Sequence, residues 1–199
     1  MSVSSPDDGA PHDAEEDPQL VTRQLSLRQL VNEDAVLMAH YLSDWDVVKQ
    51  TTSVPYPYDE RSALTWIGRV RNRQADGLQY VFALTKRGED RIIGTVSVGL
   101  VKDADRTHGE IGYWLGKPFW GSGFASEAVH AMTSYIFETM NIDRIEAAVF
   151  KENAASARVL EKSGYGLLRT ETRRYADRGG KRKVLCYVIN RENEKEDLS

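Results

Sequence analysis

The chain has one cysteine among 199 residues, so no internal disulfide can staple it and its length has to be used to bury a core. Cys186 lies in the apolar run VLCYVI (184–189) and reads as a small buried hydrophobe, because its neighbours offer no base to make a thiolate. No apolar stretch approaches the roughly 18 to 20 residues that span a bilayer. The N-terminus also lacks a basic region followed by an apolar one, so no membrane partner and no secretory signal are expected, and a cytoplasmic location is the default. The histidines, His12, His40, His108 and His130, share no ligand spacing with the cysteine or with paired acids, so no metal is expected. Basic residues are missing from positions 1–19, which hold six acids (Asp7, Asp8, Asp13, Glu15, Glu16, Asp17) and Pro6, Pro11 and Pro18. That segment has too little apolar surface to offset the entropy of ordering and reads as a disordered acidic tail. Without it the formal charge moves from −4 to +2, too near neutral to suggest nucleic acid as a partner.

The whole chain has the composition of a soluble globular protein, 41% hydrophobic and 28% charged, and past the acidic segment it reads as one domain over residues 20–190 followed by a charged tail, 191–199. The alternation of Leu25-Ser26-Leu27-Arg28-Gln29-Leu30 predicts a half-buried strand. A helix then runs from Asn32 or Asp34 to about Trp45, with Val36, Leu37, His40 and Tyr41 on one face. Val54-Pro55-Tyr56-Pro57-Tyr58 is a stiff aromatic loop, since two prolines exclude a helix interior or a central strand. A second helix follows from Asp59 to about Arg73, then strands at 80–84, 92–101 and 110–115, separated by charged turns. Ala125, Ala128, Val129, Met132, Ile136 and Met140 recur at helical spacing. Residues 144–150 form a strand, Asn153 to Ser163 a short helix stopped by Gly164, and 165–172 and 184–189 strands that flank a basic hairpin (Arg173, Arg174, Arg178, Lys181, Arg182, Lys183).

The most informative segment is GYWLGKPFWGSGFASEAV (112–129), an apolar strand that passes through a glycine turn into an amphipathic helix. A helix start exposes N–H donors without partners and the positive end of the helix dipole, and Gly121 and Gly123 remove the bulk that would keep a phosphate away. No lysine followed by Ser or Thr comes after Gly123, and three glycines in GxGxxG are absent, so neither a Walker A loop nor a dinucleotide fingerprint is present. The turn suggests a pyrophosphate held mainly by backbone.

A second motif, Asn153-Ala154-Ala155-Ser156 and then Arg158-Val159-Leu160-Glu161-Lys162-Ser163-Gly164-Tyr165, follows about 25 residues later. WGSGFASEA followed by NxxSxxVLEKxGY resembles the GNAT superfamily of acetyl-CoA-dependent N-acetyltransferases. EIGYWLGKPFWG further resembles the branch of ribosomal-protein N-terminal alanine acetyltransferases. The resemblance covers nearly all of residues 20–190. It implies an α+β fold: a mixed, mostly antiparallel sheet of six to seven strands flanked by about four helices, splayed at the two central strands, 110–115 and 144–150. It implies acetyl-CoA as co-substrate, with the backbone of Trp114 and Leu115 pairing with the pantetheine arm. Trp120, Gly121, Ser122, Gly123, Phe124, Ala125 and Ser126 would wrap the pyrophosphate, Asn153 would bond the arm from the far side, and Ser156 would lie near the sulfur. Two positions depart from the family pattern. Trp120 stands where Arg or Gln is common, and Leu160 where many members carry a tyrosine as general acid.

Acetyl transfer to an amine needs the acceptor deprotonated, the oxyanion stabilised and the leaving thiolate eventually protonated. Glu110 is the candidate base, sharing a face with His108, Gly112 and Trp114 by period-two alternation; pairing of Glu110 with Arg106 or Lys117 is the plain alternative. Ser156 is the candidate acid, because Leu160 cannot protonate anything. A backbone N–H between Tyr113 and Leu115 would hold the oxyanion. Trp45, Tyr56 and Tyr58 are candidates to line the acceptor site. The acceptor is a primary amine, a protein N-terminus by the branch resemblance, or a small molecule such as an aminoglycoside, polyamine or amino acid. A non-catalytic acyl-CoA-binding module is the alternative of another class, supported by Leu160. Oligomeric state is not readable in the sequence, and a homodimer stays open.

Overall fold

The computed structural model describes residues 19–103 and 107–194. In chain order they form β1 (Leu20–Val21), β2 (Leu25–Arg28), α1 (Asp34–Leu42), α2 (Trp45–Val48), α3 (Glu60–Ala75), β3 (Gln79–Lys86), β4 (Ile92–Lys102) and β5 (Thr107–Leu115). Then come α4 (Phe124–Thr139), β6 (Arg144–Phe150), α5 (Ala154–Lys162), β7 (Gly166–Tyr175), β8 (Gly180–Asn190) and the single turn α6 (Arg191–Glu194). The expected acidic tail lies outside the described residues except for Gln19, as do Arg106 and residues 195–199.

The eight strands make one sheet in the order β1-β2-β3-β4-β5-β6-β8-β7, one more than the sequence showed because β1 is only two residues long. Every neighbouring pair is antiparallel except β5 with β6. Strand β3 shows why the sheet is central. Its Phe82 and Leu84 join the core under α4 and α5, and its Val81 and Ala83 join the core under α1 and α3. A strand buried on both faces needs an unbroken apolar run, and Tyr80 to Leu84 supplies it.

The parallel pair is short. β5 and β6 register only at Gly109↔Ile145, Glu110↔Glu146 and Ile111↔Ala147, after which both strands run on without pairing to each other. This is the splay that the family resemblance implies, and it opens the sheet to both faces.

Three local expectations are corrected. The first helix ends at Leu42 and restarts at Trp45, because the Ser43 hydroxyl donates to the His40 carbonyl at 2.8 Å and Asp44 caps the next turn at Asp46 N. Its buried face is Asp34, Ala35, Met38 and Leu42, while Val36 points to solvent. The cause is Arg28, whose guanidinium holds both carboxylate oxygens of Asp34 at 2.8 Å and turns that side of the helix inward. The basic hairpin is mostly strand, registered out to Tyr175↔Gly180; its charges suit an edge strand, where they discourage pairing with other chains. Arg191 is part of the folded body rather than a free tail, with Nε donating to the Ile142 carbonyl at 3.1 Å and Nη2 to the Met140 carbonyl at 2.6 Å.

Candidate active site

Two cavities open from the splay. The first, about 310 Å3, lies between the C-terminal half of β5, the loop into α4 and the first turns of α5. Gly121 and Gly123 line it with φ of +78° and +81°, and no atom lies within 4 Å of where a Cβ would stand on either. A side chain there would be strained and would fill the cradle. Gly123 is the N-cap of α4 and contributes no side-chain cap, so the first N–H groups of the helix face the same space as Phe124, Ala125 and Ser126. Those features suit an anion carried on a slender chain, which is how coenzyme A presents its diphosphate and pantetheine. The indole of Trp120, itself on the wall, donates to the Leu115 carbonyl at 2.9 Å. Ser122 is exposed at the loop tip and is not on the wall.

The charge missing at Trp120 comes from elsewhere. Arg158 and Lys162, four apart on α5, both line this cavity. Both were visible in the sequence motif, and their spacing was the signal that could have marked them. Asn153 is buried at the N-cap of α5, its Oδ1 accepting from Ser156 N at 3.0 Å and its Nδ2 donating to the Gln50 carbonyl at 3.4 Å. It therefore ties α5 to the segment after α2 and lines the cavity as well. Leu160 is fully buried in the core.

The second cavity, about 390 Å3, lies on the opposite side of the splay, floored by β3, β4, β5 and β6 and roofed by α1, α3 and residues 50–55. Glu110 stands on its floor, exposed to the cavity. Lys117, one proposed partner for Glu110, is instead bonded to Asp46 at 2.5 Å. Tyr58 lines the cavity and is buried, and that burial pushes its phenol up to about 12. Trp45 and Tyr56 line neither cavity; they meet edge to face at 4.9 Å on the surface. Over Trp45 lies Arg178, 5.5 Å from the ring and buried. Arg178 reaches from the β7–β8 hairpin to the Thr51 carbonyl at 3.3 Å and to the Val54 carbonyl. One residue of the basic hairpin thus fixes the start of the aromatic loop from 124 positions away, which no local pattern announces.

The cavities share Gln50, Thr51, Tyr113, Trp114 and Ser156. At that junction the Tyr113 hydroxyl sits 2.7 Å from Ser156 Oγ and 3.1 Å from the Ser156 carbonyl oxygen. Burial pushes the Tyr113 phenol up to about 12, against the hydrogen bond with Ser156 that pulls it down. A neutral phenol therefore stands behind the serine. The Tyr113 side chain reaches across the splay to α5, a contact that only tertiary structure creates and no local sequence pattern marks.

Residues 24–166 match the family model described as "Acetyltransferase (GNAT) domain". An "Uncharacterized N-acetyltransferase p20" of Bacillus licheniformis is 36% identical over 153 residues, covering 75% of this chain and 85% of that protein. Among solved structures, the ribosomal-protein-S5-alanine acetyltransferase of Vibrio fischeri superposes with a TM-score of 0.78 at 20% identity, covering 89% of this chain and 98% of the other. RimJ of Mycobacterium smegmatis, solved with CoA-disulfide, superposes with a TM-score of 0.75 at 24% identity, covering 87% of each chain.

Proposed function

This chain belongs to the GNAT acetyltransferase family, and on that premise we propose that it acetylates a protein N-terminal amine by direct attack, with acetyl-CoA and acceptor bound together. The observation that carries the reading is the junction. A diphosphate cradle opens on one side of the splayed sheet, a polar-floored cavity opens on the other, and Ser156 with Tyr113 stands where they meet. An acceptor cavity of about 390 Å3 has room for the first residues of a chain end. The likeness to ribosomal-protein acetyltransferases favours an N-terminal amine over a small molecule.

Acetyl-CoA supplies an acyl group already activated as a thioester. The chain supplies position and proton management. Backbone N–H groups from Gly121 to Ser126, with Arg158 and Lys162, hold the diphosphate charge; the Tyr113 to Leu115 backbone orients the arm and the acyl oxygen. Glu110 accepts the proton of the acceptor ammonium directly or through water, so that a neutral amine attacks. Ser156 donates a hydrogen bond to the departing sulfur. Tyr113 keeps its proton across the working pH range; its hydroxyl donates to the Ser156 carbonyl and shares a hydrogen bond with Ser156 Oγ, which fixes the serine at the junction. Leu160 no longer argues for a non-catalytic module, since a phenol reaches the site from β5 instead.

The test is thiol release from acetyl-CoA with peptides that begin in Ala or Ser beside a panel of aminoglycosides, polyamines and free amino acids, with fragmentation of the products to locate the acetyl group. Peptides modified at the terminal nitrogen are the expected products. Release with the small amines alone would replace this acceptor.

A further inference from the structure

Arg73, in the last turn of α3, has no part in the chemistry above, yet it lines the acceptor cavity. Its Nε donates to Gln79 Oε1 at 3.1 Å and its Nη2 to the Leu78 carbonyl at 3.4 Å, bonds that fix the guanidinium and leave further N–H groups for a ligand. Gln79 opposes Gly99 on β4, and Gly99 opposes Glu110 on β5. Residues directly opposed across strands share a face of the sheet, so Gln79, Gly99 and Glu110 form one row on the cavity floor. Nothing lies within 4 Å of where a Gly99 Cβ would stand. The row is therefore an open trough with a carboxylate at one end and a guanidinium at the other. Two strand spacings make its length about 10 Å. Among the described residues lining this cavity, Glu110 is the one acid and Arg73 the one Lys or Arg.

We infer that Arg73 sets acceptor specificity: it selects chain ends that carry an acidic side chain at the second or third residue. The inference rests on the N-terminal acceptor proposed above. With the terminal amine at Glu110, an extended chain advancing about 3.3 to 3.6 Å per residue reaches Arg73 within about three residues. A planar guanidinium matches a carboxylate there in two parallel hydrogen bonds. A free α-amino acid, whose carboxylate adjoins its amine, cannot engage both ends of the trough. A lysine at those positions would bring like charge to Arg73 and is disfavoured.

Three synthetic peptides with N-terminal Ala, identical except for Glu, Gln or Lys at the second and third positions, test this by kcat/KM with acetyl-CoA at low salt. The wild-type chain should prefer the Glu peptide to the Lys peptide by about tenfold, with Gln between them. Arg73→Gln should flatten the ranking and Arg73→Glu should reverse it. Equal rates on the three peptides overturn the role of Arg73 while leaving N-terminal acetylation in place, and so does a Glu preference that survives Arg73→Glu. Turnover of a small amine with none of the peptides acetylated removes both proposals. The wild-type ranking needs no variant, so a poorly folding substitution does not shelter the inference.

Discussion

The two cavities meet at Ser156 and are built in opposite ways. The cofactor side comes largely from one continuous segment, β5 through the glycine loop into α4, closed by the first turns of α5. Its grip is mainly backbone, depends on φ at two glycines, and is supplemented by Arg158 and Lys162. The second cavity, the proposed acceptor side, is assembled from α1, α3, residues 50–55 and four strands, with its loop tied down by an arginine from the β7–β8 hairpin. Its character is set by side chains that no sequence neighbour predicts. A site made of backbone tolerates change in nearly every side chain but not in its glycines, whereas a site made of distant side chains can change its ligand one residue at a time.

The largest effect should come from Gly123→Glu, which sharpens the contrast most. A non-glycine residue at φ +81° is strained by about 1 to 2 kcal/mol, and the added carboxylate would stand in the anion cradle. Calorimetry should show coenzyme A affinity reduced at least about 100-fold. Glu110→Gln comes next and acts on the other half, with kcat falling by about 100-fold or more while coenzyme A binds as before. Coenzyme A affinity falling with kcat would break the separation of the halves.

Arg178→Ala should release residues 51–54 and raise the acceptor KM by about tenfold, an effect consistent with losing charge-assisted bonds to two carbonyls, again with coenzyme A affinity unchanged. Tyr113→Phe, at the junction, should lower kcat by about three- to tenfold and have no further effect in a Ser156→Ala background, because the phenol acts through the serine. With its phenol near 12, Tyr113 should add no inflection to the rate profile near pH 10. The smallest effect concerns the surface tie between the halves. Lys117 next to the cofactor loop, and then Lys49, hold the Asp46 carboxyl down to about 2. This ion pair is present above the ordinary carboxylate range and is lost as pH falls through about 2. Lys117→Met should move the Asp46 titration, followed by carbon NMR, back toward the ordinary value with little change in kcat.

The same contrast governs what could be read in advance. The glycine turn, the α4 face and the short α5 helix were legible because each depends on residues within a few positions of one another. So was the splay between strands 110–115 and 144–150, through the resemblance to a known family. The rotation of α1 was not, because Arg28 reaches Asp34 from another element and outweighs the local apolar spacing. Tyr58 lines the second cavity, whereas Trp45 and Tyr56, grouped with it in the sequence, face outward, with Arg178 over the Trp45 ring. Tyr113, Arg178 and Arg73 all act across more than one element, and their roles appear only once the chain is folded.

The central claim is that main-chain amides at the start of α4 hold acetyl-CoA while the acceptor side stays available. Backbone amide NMR during titration with coenzyme A tests it directly. Gly121, Gly123, Phe124, Ala125, Ser126 and Asn153 should shift together and saturate with one affinity, while Gln79, Gly99 and the turn at Gly179 hold still. Shifts centred on the β7–β8 hairpin or on the floor around Gly99, with the glycine loop unmoved, would contradict the account.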